Sequence, residues 1–154
     1  MSEWTLERAL RLALRREEES IMLYTAAQDK ASNRSSVELL KEFVVEEEKH
    51  KSKILEVLEQ QEKVEELGDF ETEIQDLRIV DTLEDVPLSP DADYQQLLVY
   101  AGKKEKAAYN FYLQIAEKHK GKQIRKTFTK LAQEELKHKQ KLEQEYDDVV
   151  LKQM

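Results

Sequence analysis

The chain has 154 residues, 40% hydrophobic and 38% charged, with a formal net charge of -8, enough for a single domain with a real core. Three glycines and two prolines favour long helices over tightly turned sheets, and the lack of cysteine excludes disulfides and thiolate or iron-sulfur sites, so any metal is bound through oxygen and nitrogen. Acidic balance, with basic residues interleaved among acids, argues against a nucleic-acid surface; without a signal-like start or about 18 consecutive apolar residues, the expectation is a soluble cytoplasmic protein that touches no membrane.

The predicted fold is all-α, a single antiparallel four-helix bundle with a long crossover between helices 2 and 3. The first helix, over about 3–31, carries the stripe Leu6, Leu10, Ala13, Glu17, Ser20, Tyr24, Ala27, Ala31 at alternating spacings of four and three, the pattern of helices packed side by side. Trp4, Leu12, Leu14 and Met22 lie off that stripe and either widen the core or form a dimer face. The turn "ASNRSS" follows, with Ser35 as the expected N-cap and Glu38 completing a capping box. The second helix, about 35–66, carries Ser36, Leu40, Phe43, Glu47, His50, Ile54 and Val57.

The crossover, about 67–90, holds both prolines. At roughly 3.3 Å per extended residue it can run the length of a bundle whose helices rise about 1.5 Å per residue. Its "FETEIQDLRI" portion is expected to form a helical turn or two, packing Phe70, Ile74 and Leu77 on the bundle. The third helix, about 91–120, carries Tyr94, Leu98, Ala101, Glu105, Ala108, Tyr112, Ile115 and His119; the fourth, about 122–147, carries Ile124, Phe128, Leu131, Glu135, His138 and Leu142. Between them "KHKGK" places Gly121 where a helix end favours a left-handed residue. His119 is read as a helix C-terminal residue rather than a ligand.

Shifting the chain by 88 residues superposes its halves without a gap: Glu17 on Glu105, Tyr24 on Tyr112, Glu46 and Glu47 on Glu134 and Glu135, His50 on His138. Helical spacing puts Glu47 with His50, and Glu135 with His138, on the inward stripes, whereas Glu46, Glu48 and Lys49 read as a solvated run. Glu17 and Glu47 lie at nearly equal depth from their turn, as do Glu105 and Glu135 from theirs. Four carboxylates converging in a core are prohibitive unless cations or protons compensate them. One Glu from each of two helices plus a Glu-x-x-His from each of the other two is the arrangement of carboxylate-bridged di-iron or di-manganese bundles. Fe, Mn and Zn all suit such donors.

"EEESIMLY" with "EEEKH", and "EKAAYNFY" with "EELKH", resemble the two halves of the rubrerythrin branch of the ferritin-like superfamily, over nearly the whole chain. The resemblance implies a centre of two Fe ions, with Glu17 and Glu105 as terminal ligands, Glu47 and Glu135 as bridging ligands, and His50 and His138 as nitrogen ligands. Tyr24 and Tyr112, two turns beyond their own helices' glutamates, are expected to donate to a ligand carboxylate on a neighbouring helix. The chain departs from the family's pattern in two places. Ala108 stands where typical members have an extra glutamate, and these 154 residues hold no cysteine, where typical members carry four in a rubredoxin-like domain. The resemblance further implies a cytoplasmic homodimer that reacts with O2 or hydrogen peroxide as a ferroxidase or peroxidase, in oxidative-stress defence or iron handling. Its electrons would come from an external donor such as a separate rubredoxin-like protein. The other reading kept open is a non-enzymatic protein that binds or stores iron or another divalent metal.

Overall fold

The structure is a computed structural model that describes residues 4–66, 73–74 and 88–151, with side chains for 5–61 and 88–151. A two-residue strand, β1 (Trp4–Thr5), leads into α1 (Leu6–Ala27); α2 (Arg34–Glu66), the strand β2 (Glu73–Ile74), α3 (Tyr94–Lys118) and α4 (Lys122–Val149) follow. The predicted helices are all present, with α1 shorter at both ends and α3 starting later than the sequence pattern suggests.

Local chemistry accounts for the helix starts. Thr5 caps α1 by accepting from the Arg8 amide. Asp93 and Gln96 form a reciprocal capping box on α3, which satisfies two amides that have no helical acceptor. For α2 the sequence reading is corrected: Asn33, not Ser35, accepts from the Ser36 amide at 2.8 Å, and Ser35 lies inside the helix. Asn at this place caps as well as Ser. Gly121 is also corrected. Its φ of -69° is not left-handed and it serves as the N-cap of α4. Glycine leaves room there for the His119 ring, which an added Cβ, 2.8 Å from His119 Cε1, would displace.

Contacts along the chain set the helix directions. Glu17 of α1 meets Tyr112 of α3 while Tyr24 meets Glu105, so these two helices run antiparallel; Phe43 and His50 of α2 face His138 and Glu134 of α4 in the same reversed order. The apolar core divides into two clusters along the bundle. One joins the start of α1, the end of α2, the end of α3 and the start of α4, through Leu6, Leu10, Ile54, Phe111, Ile115 and Phe128. The other joins the opposite ends, through Tyr24, Leu40, Phe43, Leu98, Ala101 and Leu142. Since α2 ends in the first cluster and α3 begins in the second, the connection must return along the bundle, as the sequence predicts.

Within that connection β2 pairs antiparallel with β1, Trp4 opposite Ile74 and Thr5 opposite Glu73. The helical turn expected here is therefore corrected at 73–74, where the chain is extended and borrows backbone partners from the residues ahead of α1. The expected packing of Phe70, Ile74 and Leu77 side chains lies outside the described residues. Leu12 and Leu14 are half-buried against the first cluster, and Met22 is exposed. No helix among the described residues is long and apolar enough to cross a membrane.

Candidate metal centre

Between the two apolar clusters lies a polar layer. Glu17 from α1, Glu47 and His50 from α2, Glu105 from α3, and Glu135 and His138 from α4 are all at most 4% exposed. Each sits on the inward stripe of its helix, and the glutamates follow buried Ala13, Phe43, Ala101 and Leu131 by one turn. All six residues singled out from the sequence are brought together.

Their donor atoms form two overlapping groups, Glu17, Glu47, His50 and Glu135, and Glu47, Glu105, Glu135 and His138, each within 4.8 Å. Glu47 and Glu135 belong to both. His50 Nδ1 lies 2.5 Å from Glu135 Oε1 and 3.4 Å from Glu47 Oε1, while His138 Nδ1 lies 2.9 Å from Glu47 Oε1. The two imidazoles are nearly parallel, with centroids 5.6 Å apart.

Tyr24 donates to Glu105 Oε1, and Tyr112 to Glu17 Oε1, each at 2.5 Å. Each tyrosine therefore reaches across the α1–α3 contact to the other helix's carboxylate, the cross-helix role expected from its spacing. Burial first, and then the facing carboxylates, raise both phenols well above their ordinary range, so both remain hydrogen-bond donors.

The layer is electrostatically frustrated. Burial raises Glu17 well above the usual carboxylate range and the Glu47 charge adds to this; burial does the same to Glu135, with Glu105, Glu47 and Glu17 adding. Burial also pushes Glu47 up, but bonding to His138, His50 and Glu17 outweighs it and holds Glu47 well below that range. Desolvation pulls both histidines down, yet Glu17 and Glu47 carry His50 up to about 11, and Glu105 and Glu47 carry His138 up to about 9. Protons thus do the compensating that four buried carboxylates require.

They do it incompletely. Glu17 Oε2, both oxygens of Glu47, Glu105 Oε2, Glu135 Oε1, His50 Nδ1 and His138 Nδ1 are buried without an aligned hydrogen-bond partner, although buried polar atoms are ordinarily satisfied. These seven atoms all belong to the six clustered residues; among the described residues, the other buried side-chain atoms without a partner are Ser36 Oγ and Gln61 Nε2, outside the layer. Divalent metal fits this donor set, because it replaces protons with charge at the atoms that lack partners.

One neighbour of the layer is not singled out by the sequence. His50 Nε2 bonds Glu134 Oε2 at 2.6 Å, which directs Nδ1 toward the carboxylates, the usual arrangement for a ligating histidine. The Glu134 side chain is only 30% exposed. Glu46, expected in solvent, is half-buried and approaches the same His50–Glu134 pair. The available signal was the offset of 88, which relates Glu46 to Glu134 as it relates Glu47 to Glu135. His119, set aside as a ligand, indeed lies elsewhere, capping α3 and accepting from the Gly121 amide through Nδ1.

A family model for rubrerythrin matches residues 8–87 and 96–153. The chain belongs to the rubrerythrin family. No curated protein and no solved structure matches it. Rubrerythrins are ferritin-like all-α bundles and typically bind iron, in keeping with the four-helix architecture and with the buried carboxylate and imidazole groups that can hold a metal in this rubrerythrin-family chain.

Proposed function

We propose that the chain is a non-haem di-iron carboxylate oxidoreductase that reacts with O2 or hydrogen peroxide and takes electrons from an external donor. The observation that carries this reading is the overlap of the two donor groups through Glu47 and Glu135. Glu47 and Glu135 would be held in common by two ions, with Glu17 and His50 completing one group of donors and Glu105 and His138 the other. Iron bound there supplies redox chemistry that none of the side chains possesses.

The protein's contribution is positional and electrostatic. Tyr24 and Tyr112 hold one oxygen each of Glu105 and Glu17, leaving the other oxygen for metal. Glu134 fixes the His50 ring. Phe43, Phe111 and Phe128, buried above and below the layer, keep bulk water from it and strengthen the electrostatics inside.

A non-enzymatic, iron-retaining role is favoured by one observation. Ala108, where an additional carboxylate would stand, is buried in the apolar cluster and offers no further ligand as the metal charge changes. Anaerobic ferrous loading followed by a pulse of peroxide or O2 separates the two. Repeated turnover with added reductant establishes the oxidoreductase, and a single oxidation with retained ferric iron establishes storage. Glu47→Ala and Glu135→Ala should each abolish paired metal binding, measured by elemental analysis; undiminished stoichiometry in both would refute a shared centre.

A further inference from the structure

A groove of about 530 Å³ opens between α2 and α4, lined by Lys49 and Lys53 on one side and Lys126 and Lys130 on the other, with His50 and Glu134 among the lining residues. We propose that this groove is the docking surface for an acidic one-electron carrier protein, which passes electrons inward through His50. The inference rests on the di-iron reading above and names the partner of that same site.

Charge complementarity is the first support. In a chain of net charge -8, residues 118–130 hold six of the 25 basic residues and none of the 33 acids, a concentration that contradicts the even interleaving expected from overall composition. That stretch runs through the α3–α4 turn into the groove wall. Lys53 is paired with exposed Glu56; for Lys49, Lys126 and Lys130 no ion pair is formed among the described residues. A positive patch on an acidic molecule orients an acidic partner during encounter and raises its association rate.

Position is the second. His50 spans from groove to centre: Nε2 meets Glu134 at the groove and Nδ1 lies 2.5 Å from Glu135. The path from a docked carrier to the carboxylate layer is thus about one imidazole ring long. Glu46 and Glu134 also line the groove. A polyphosphate laid along it would press phosphates against these carboxylates, whereas a protein with a ring of acids around a neutral centre would meet the lysines and spare them. Each encounter moves one electron, the carrier's iron going from ferrous to ferric and one ferric ion of the centre becoming ferrous; two encounters restore the pair.

The test compares the wild type with a Lys49→Glu, Lys126→Glu, Lys130→Glu variant and with a control of equal charge change, Lys103→Glu, Lys106→Glu, Lys139→Glu, placed on the α3–α4 face. Air-oxidised, iron-loaded protein is mixed with a reduced acidic rubredoxin in stopped flow, and zinc-substituted rubredoxin is titrated onto each protein by calorimetry. The groove variant should lose about tenfold or more in second-order rate and most of its salt dependence, with matching loss of binding, while the control changes little. Equal rates and equal binding in the groove variant and wild type overturn the proposal, as does tighter binding of a short DNA duplex than of rubredoxin at these lysines. Failure of the di-iron reading shows separately, as absence of iron uptake or of dithionite-reducible absorption in the wild type. The calorimetric arm still decides the docking surface in that case, since it requires no metal in this chain.

Discussion

Tyr24 and Tyr112 are related by the offset of 88 and make the same bond across the bundle, to Glu105 and Glu17. Removing either hydroxyl leaves a buried carboxylate oxygen without its donor, which costs about 1–3 kcal/mol. Tyr24→Phe and Tyr112→Phe should therefore destabilise the protein by similar amounts in denaturant titration, and both should shift the visible spectrum of the iron-loaded form. A large effect in one and none in the other would mean that the two halves are not equivalent. Titration gives a second expectation at this scale. His50 and His138 bind protons more tightly folded than unfolded. The stability they contribute to metal-free protein is fully present below about pH 6.5, the ordinary histidine value. It is lost as pH rises through about 9 for His138 and about 11 for His50. Glu17 and Glu135, raised by burial, act in the same direction, whereas Glu47, held low, gives way only in acid. The melting temperature of metal-free protein should fall steadily from about pH 6.5 to 9, and a rise over that window would contradict the assignment. Metal uptake should strengthen over the same window, because the ligands must lose these protons to bind.

At the scale of helices and turns, periodicity marked which residues face inward, and the six stripe positions reached the polar layer as the spacing required. The caps were less legible. "ASNRSS" contains four residues able to cap, and only backbone geometry selects Asn33. Asn33→Ala should cost about 1 kcal/mol in thermal or chemical unfolding and Ser35→Ala distinctly less; the reverse order would restore the sequence-based assignment. Gly121→Ala should also destabilise, through displacement of the His119 ring and loss of the bond between the Gly121 amide and His119 Nδ1, not through backbone strain. Rescue by His119→Ala in the double variant would show that the ring is what the methyl group meets. The short β1–β2 pair had no periodic signal, because two residues cannot display an alternation.

Across the whole molecule, a polar layer is held between two apolar clusters. The clusters should keep the bundle together with or without metal, while the layer opposes them whenever its carboxylates lack compensation. Metal loading should therefore raise the melting temperature and chelation lower it, without loss of helical circular dichroism in the chelated form. Ligand linkage sets the scale, about 2.7 kcal/mol when free metal exceeds Kd a hundredfold. Unfolding on chelation would mean that the clusters alone cannot sustain the fold. Residues 118–130 act at the same scale, giving an acidic molecule one basic side.

Sequence alone determined the four helices, their inward faces and the six residues of the polar layer, because helical periodicity and an internal copy at constant offset are local properties that need no knowledge of neighbours. Tertiary structure decided the pairings. The bonds of Tyr24 with Glu105, Tyr112 with Glu17 and His50 with Glu134 join residues 81, 95 and 84 positions apart. Period 3.6 says that a side chain points inward but not which helix it meets. The lysine-walled groove depends likewise on how α2 and α4 lie side by side, since its two walls come from helices separated by the crossover and α3.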